Sequence, residues 1–175
     1  MKQHRTKLSG VMAVGFMVLA KPTSTSLIIG ISPIVVGEVI RIWSSGHIHK
    51  NQILTVTGPY SLSRNPLYVG SFILGTGFMV AMGVIWLAVT FLLFYSSVYW
   101  FTIKWEEEKL RGLFPREWMV YSRSVPRFFS LLRIPRYRKG EFHWSQVSRN
   151  KELLNASVVV AVYFILWVKL FLTGG

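Results

Sequence analysis

Four apolar stretches, Leu27–Trp43, Pro66–Met82, Val84–Ile103 and Leu153–Leu172, each run 17 to 20 residues. An α-helix needs about that length to cross the hydrocarbon layer of a bilayer. Backbone amides in lipid must be satisfied inside the segment, so helices are the structure open to such stretches. A fifth stretch, Leu8–Ala20, has only 13 residues. It either borrows from Thr23–Ser26 or pairs with the next stretch as a shallow hairpin around Lys21-Pro22. The expected fold is an all-α integral membrane protein with about five transmembrane helices. It forms a single domain over residues 1–175, with its last span at 153–172. A signal peptide is the competing reading of the start, with Lys2, Arg5 and Lys7 ahead of the apolar run and Val18-Leu19-Ala20 as its cleavage site. It leaves the remaining topology unchanged.

Charged residues make up 15% of the chain, against roughly 25% in an average soluble domain. They are unevenly spent: 20 Lys and Arg, seven Glu and no Asp, for a formal charge of +13. The basic residues flank the apolar runs, as a membrane surface rich in anionic headgroups favours, so a nucleic-acid partner is not expected. With the N-terminus inside, all basic residues except Lys21 and Lys169 fall on the cytoplasmic side or at its boundary. Lys169 is close enough to the end of the last span to snorkel to the opposite interface. The compact chain, with no retention signal, points to a prokaryotic plasma membrane. Zero cysteines removes disulfides, thiolate metal sites and a cysteine nucleophile.

This orientation puts segments 44–63 and 104–151 in one compartment. Gly83 leaves almost no loop between the third and fourth stretches, so they form a tight antiparallel hairpin. Its open end brings Arg64-Asn65-Pro66-Leu67-Tyr68-Val69-Gly70 beside Glu106-Glu107-Glu108. Asn65 and Pro66 suit the N-cap and first position of a helix, and Gly70 allows close backbone approach. Arg64 has tyrosines four residues away on either side, Tyr60 and Tyr68, offering hydroxyls and faces for cation–π contact. Successive glutamates on a helix point about 100° apart. Glu107 then pairs with Arg111 on the surface, and Glu106 faces inward for a buried task.

Beyond Glu108, aromatic and aliphatic residues alternate with Arg111, Arg116, Arg123, Arg127 and Arg133. That mixture suits helices lying on the headgroup layer. His47 and His49 lack a third convergent ligand, so no metal site is expected. An arginine, an amide, tyrosines and a glutamate at the mouth of an aromatic hairpin suit a zwitterionic ligand with a flat ring. S-adenosyl-L-methionine has those groups.

The stretch from Gly37 to Phe128 resembles the isoprenylcysteine carboxyl methyltransferases and their relatives, the membrane phospholipid N-methyltransferases. The resemblance rests on Gly58-Pro59-Tyr60, the Arg64–Gly70 run, Glu106-Glu107-Glu108-Lys109-Leu110, Phe114-Pro115-Arg116-Glu117-Trp118, and Tyr121 before Val125-Pro126-Arg127-Phe128. It makes residues 37–128 the motif-bearing core and implies transfer of a methyl group from S-adenosyl-L-methionine to a lipid or lipid-modified substrate entering from the bilayer. It implies cofactor contacts from Gln52, Ile53, Leu54, Thr55, Tyr60, Asn65, Pro66, Leu67, Tyr68 and Glu106. Arg64, Glu107 and Tyr68 become the candidate catalytic residues, and His49 or Lys50 a further polar contact. Asn65 stands where the carboxyl methyltransferases usually have histidine, and an amide cannot titrate near neutral pH. Pro115 and Trp118 replace Gly and Tyr, and Thr102 stands where eukaryotic prenylcysteine enzymes place an arginine, which weighs against a prenylcysteine substrate. Phospholipid N-methylation is the alternative activity. A non-enzymatic basic membrane module is the alternative of another class.

Overall fold

The computed structural model describes residues 15–49, 52–129 and 136–173. Helix is the regular structure they form, with no strand among them. Three long helices form the frame: α1 (Ser24–His47), α3 (Ile85–Leu113) and α6 (Glu152–Thr173), with α2 (Pro66–Met82) between the first two. The short helices α4 (Pro115–Ser124) and α5 (Trp144–Arg149), and a 3-10 turn at Gly58–Ser61, build the polar side. α1, α3 and α6 are long and apolar enough to cross a membrane, whereas α2 has 17 residues, about 25 Å of helix. Much of the surface of these helices is aliphatic and aromatic, including Ile28, Trp86, Val160 and Phe171. That surface suits lipid contact and would be costly in water. Of the expected first span, residues 8–14 lie outside the described residues, and 15–19 are helical.

α1 starts before its apolar run because Thr23 and Ser26 form a capping box: each side chain accepts from the other's backbone N–H, at 3.1 and 2.9 Å. It runs past Trp43 because Ser44 and Ser45 return their hydroxyls to the carbonyls of Ile40 and Ile42, which lets polar residues stay helical. α2 has the bounds the sequence predicts, from Pro66 to a left-handed Gly83 with φ of 69°. α3 runs ten residues beyond Ile103 and carries the three glutamates within its last turns.

The principal seam joins α1 to α2. A Cβ placed on Gly30 would stand 2.7 Å from the carbonyl oxygen of Gly77, and one on Gly37 would stand 2.6 Å from that of Gly70. The contacts are reciprocal and seven residues apart on each helix, so two turns of bare backbone touch along one line. Close approach of this kind supplies dispersion contact where lipid offers no hydrophobic driving force. Leu27, Ile34, Phe78, Met79, Met82 and Leu87 pack nearby, and α6 joins them through Leu166.

α2 and α3 do form the expected hairpin, held mainly by rings, one of which, Phe91, seats against Gly75. Phe72, Phe91, Tyr95, Tyr99 and Tyr68 contact one another in series, and Tyr95 donates its hydroxyl to the Tyr68 carbonyl at 2.5 Å. Lys169 sits one turn from the end of α6. Its ammonium donates to the carbonyls of Met17 and Val18 at 2.8 and 2.7 Å. A cation thus caps the end of the 15–19 helical turn, where carbonyls lack partners.

Candidate functional site

The C-terminal ends of α1 and α3 and the N-terminal ends of α2 and α6 lie on one side of the bundle. There the polar segments fold over them around a second small core of Trp118, Tyr121 and Val125, packed against Leu54, Val56 and Leu110. Trp118 and Tyr121, expected among the residues facing the headgroup layer, are thus buried in protein. Elsewhere on α4, Arg116, Glu117, Met119, Val120 and Arg123 are exposed. Tyr121 donates its hydroxyl to the Tyr60 carbonyl at 2.7 Å. The turn under it needs Gly58, whose φ is 58° and whose Cβ would collide with the His47 ring. His47, buried here with Nδ1 2.9 Å from the Trp43 carbonyl oxygen, is a packing residue.

The two predicted motifs meet, but through different partners than their spacing suggested. Glu107, not Glu106, is the buried carboxylate. It accepts from Arg127 at 2.6 and 3.1 Å and from the Asn65 side-chain amide at 3.1 Å, with Arg64 at 3.6 Å. The expected Glu107–Arg111 surface pair is therefore replaced by an internal cluster. The segment carrying Arg127 returns across the start of α2: Arg64 N–H donates to the Pro126 carbonyl, and the Ser63 hydroxyl and Asn65 amide both donate to the Arg127 carbonyl. Asn65 occupies the N-cap position, yet its side chain makes no capping bond, being committed to Glu107. Arg64 and Arg127 lie over Trp118 and Trp100, 5.5 and 5.2 Å from the ring centres, so tryptophan, not Tyr60 or Tyr68, faces the Arg64 guanidinium. The hydrogen bonds that Arg127 donates to Glu107 hold its guanidinium above its ordinary pKa against the opposing effect of burial.

Beside this cluster a cleft of about 430 Å³ opens between the helix ends. Of the candidates, Ile53, Leu54, Thr55, Tyr60, Arg64, Leu67, Tyr68 and Glu106 line it, as does His49. Lys50 lies outside the described residues, and four candidates do not line the cleft. Gln52 lines an adjoining hollow, Asn65 and Glu107 are turned into the ion cluster, and Pro66 is buried in the first turn of α2. Glu106 is half-buried in the cleft wall because it sits one residue, and so about 100°, from the buried face of α3. The Tyr60 hydroxyl and the Arg64 Nε are buried without a hydrogen-bond partner among the described residues. Burial raises the Tyr60 phenol well above its usual pKa, and Tyr121 is also raised.

Sequence reasoning missed the opposite wall. Arg41 of α1 donates to Glu152 of α6 at 2.5 Å and to the Ser71 hydroxyl, with Glu38 at 3.6 Å. Arg41, Ser71, Glu152 and Asn155 all line the cleft. The available signal was a Glu and an Arg one turn apart inside an apolar run, an arrangement that marks function or pairing in a membrane. A further groove of about 390 Å³ is lined by Tyr68, Phe72, Tyr95, Tyr99, Trp100, Ile103, Phe128 and Phe129, among others. It shares Tyr68 and Tyr99 with the cleft. The polar cavity and the aromatic one thus adjoin.

The profile of the family described as phospholipid methyltransferase matches residues 25–117, from α1 into α4. The chain belongs to that family. Family membership and the spanning-length helices make it an integral membrane protein. Among curated proteins it is similar to the cobalt-zinc-cadmium resistance protein CzcN of Cupriavidus metallidurans, with 38% identity over 126 residues, 68% of this chain and 54% of that protein. It is also similar to the nickel-cobalt-cadmium resistance protein NccN of Alcaligenes xylosoxydans xylosoxydans, with 37% identity over 113 residues, 61% of this chain and 50% of that protein. The chain spans about half the length of these curated relatives. No solved structure matches it.

Proposed function

We propose that this chain is an S-adenosyl-L-methionine-dependent methyltransferase whose acceptor is a lipid or lipid-modified molecule drawn from the bilayer. The observation that carries the reading is the cleft wall, where the partnerless hydroxyl of Tyr60 and Nε of Arg64 stand with the Glu106 carboxylate and several aromatic rings. Buried polar atoms without partners are rare in folded proteins, and a ligand is one way to satisfy them. Family membership and the aromatic groove adjoining the cleft support the same reading.

When bound, S-adenosyl-L-methionine supplies a methyl group already activated on a sulfonium. The chain's residues then have to hold and align. Glu106 pairs with an ammonium, Arg64 and Tyr60 donate to a carboxylate, and Tyr68 and Tyr99 offer faces for a flat ring or a sulfonium. Ile53, Leu54, Thr55 and Leu67 supply the apolar remainder. Tyr68 lines both cavities, so it stands where donor and acceptor meet. Glu107, Asn65 and Arg127 act as positioning residues that fix the start of α2 relative to α3. Alignment of this kind can contribute about 7–11 kcal/mol to lowering a barrier at best. An ammonium acceptor must lose a proton before it attacks; Glu106 and Glu152 in the cleft wall are the carboxylates that can take it. A carboxylate acceptor needs no base.

The concentration of basic residues on the site side supports a cytoplasmic cleft, and the proposed setting is a prokaryotic inner membrane. The test is transfer of labelled methyl from S-adenosyl-L-methionine to a membrane lipid extract. Label on the headgroup amine, kept after base removes the acyl chains, means N-methylation, and label released by base as methanol means a methyl ester. Absence of any transfer to lipid, with cofactor bound, would contradict the proposal.

A further inference from the structure

On the other side of the cleft, at the corner between α5 and α6, lies a separate hollow of about 330 Å³. It is lined by His49, Gln52, Gln146, Arg149, Asn150 and Lys151. No carboxylate is among these residues. Arg149 and Lys151 can only donate, and the amides and the imidazole can donate as well. The corner is built firmly: the Asn150 side-chain amide donates to the Ser45 carbonyl at 2.9 Å and contacts that of Ile48 at 3.4 Å. This ties α5 to the end of α1. Lys151 holds a left-handed φ of 58°, the only non-glycine among the described residues to do so. That region favours glycine, and residues kept there against preference gather at functional sites.

Position relative to the two other cavities narrows the ligand. The hollow shares His49 and Asn150 with the cleft, whereas the aromatic groove meets the cleft at Tyr68 and Tyr99. A lipid acceptor with its chains in the groove and its reacting group in the cleft would have to thread its headgroup past the methyl donor to reach the hollow. The donor carries no phosphate, and its carboxylate is assigned to Arg64 and Tyr60 in the cleft, which do not line the hollow. A phosphate held here therefore belongs to a third molecule. The site side of the chain is strongly basic and stands at a membrane surface, where anionic lipid concentrates.

We propose that this hollow binds the phosphate of an anionic phospholipid distinct from the methyl acceptor. Binding there is coupled to the cleft. Lys151 precedes Glu152, which reaches Arg41 in the cleft wall, so an anion that fixes the corner also fixes that ion pair. The coupling, unlike the binding, rests on the methyltransferase reading.

The test uses the detergent-purified full chain and its Arg149→Gln and Lys151→Gly variants. Glycine accepts the backbone at 151 without strain, so loss of binding in that variant reports the ammonium. Short-chain phosphatidylglycerol, short-chain phosphatidylcholine and inorganic phosphate are titrated separately, with tryptophan fluorescence as the readout, and S-adenosyl-L-methionine affinity is measured in each state. The expected result is selective binding of phosphatidylglycerol, weakened at least about fivefold in each variant and by added salt. Bound phosphatidylglycerol should also tighten the cofactor in the wild type. Equal binding of the choline lipid, unchanged affinity in both variants, or inorganic phosphate binding as tightly as the lipid would each overturn the assignment. Failure of the cofactor to bind, with selective lipid binding intact, would contradict the enzyme reading while upholding the lipid site.

Discussion

Glu107 and Arg127, twenty residues apart, close on each other at 2.6 Å inside the polar cap, and Asn65 of the opposite motif bonds to both. The pair is what locks the end of α3 to the start of α2. A carboxylate this buried is tolerable because three groups satisfy it.

Replacing Glu107 with alanine leaves Arg127, Arg64 and Asn65 facing one another without their acceptor. We expect a loss of about 1–3 kcal/mol, discounted from values for fully buried pairs because Arg127 is partly exposed. Thermal unfolding in detergent measures it. An unchanged midpoint would remove the cluster from its structural role.

Asn65→Ala should lower stability by a similar, slightly smaller amount while changing cofactor affinity less than Glu106→Gln does, because Asn65 serves the cluster and Glu106 lines the cleft. Glu106→Gln and Tyr68→Phe should each weaken S-adenosyl-L-methionine binding by about tenfold, the equivalent of roughly 1.4 kcal/mol, with normal insertion. Titration calorimetry on the three variants reads the difference. Cofactor binding abolished by Asn65→Ala at unchanged stability would reverse the assignment.

Gly37→Ala places a methyl against the Gly70 carbonyl and the Leu74 backbone, neither of which can swing aside. The helices must separate, at a cost of about 1–3 kcal/mol. Gly15→Ala, in a helical turn with open space around it, should show only the small gain of helix propensity. Comparing their thermal midpoints isolates the seam from general helix propensity.

The buried tyrosines set a sign for alkaline pH. Burial raises Tyr60 and Tyr121 in the folded state, so the unfolded chain releases these protons first. The stability they provide is complete below the ordinary tyrosine pKa, about 10, and is lost as pH rises above it. Melting in detergent between neutral and strongly alkaline pH should show the decline, and Tyr60→Phe should make it shallower. An equal slope in that variant would contradict the burial.

The helices and the meeting of Arg64–Tyr68 with the glutamate triplet were legible because both follow from apolar run length and a one-glycine turn. Partner choice was not. Spacing along one helix offered Glu107 to Arg111, whereas the actual partner arrives from a returning segment whose path depends on Trp118 and Tyr121 packing under it. The Arg41–Glu152 wall was hidden for the same reason: its members lie 111 positions apart. The α1–α2 seam was equally hidden, because it depends on Gly30 and Gly37 of one helix meeting Gly77 and Gly70 of the other.

Titration of S-adenosyl-L-methionine into the detergent-purified chain, alongside its Tyr60→Phe variant, bears most directly on the proposed cofactor site. The account predicts one cofactor per chain in the wild type and about tenfold weaker binding once the orphaned hydroxyl is gone, with the fold intact. No binding to the wild type, or equal binding by both proteins, would contradict it.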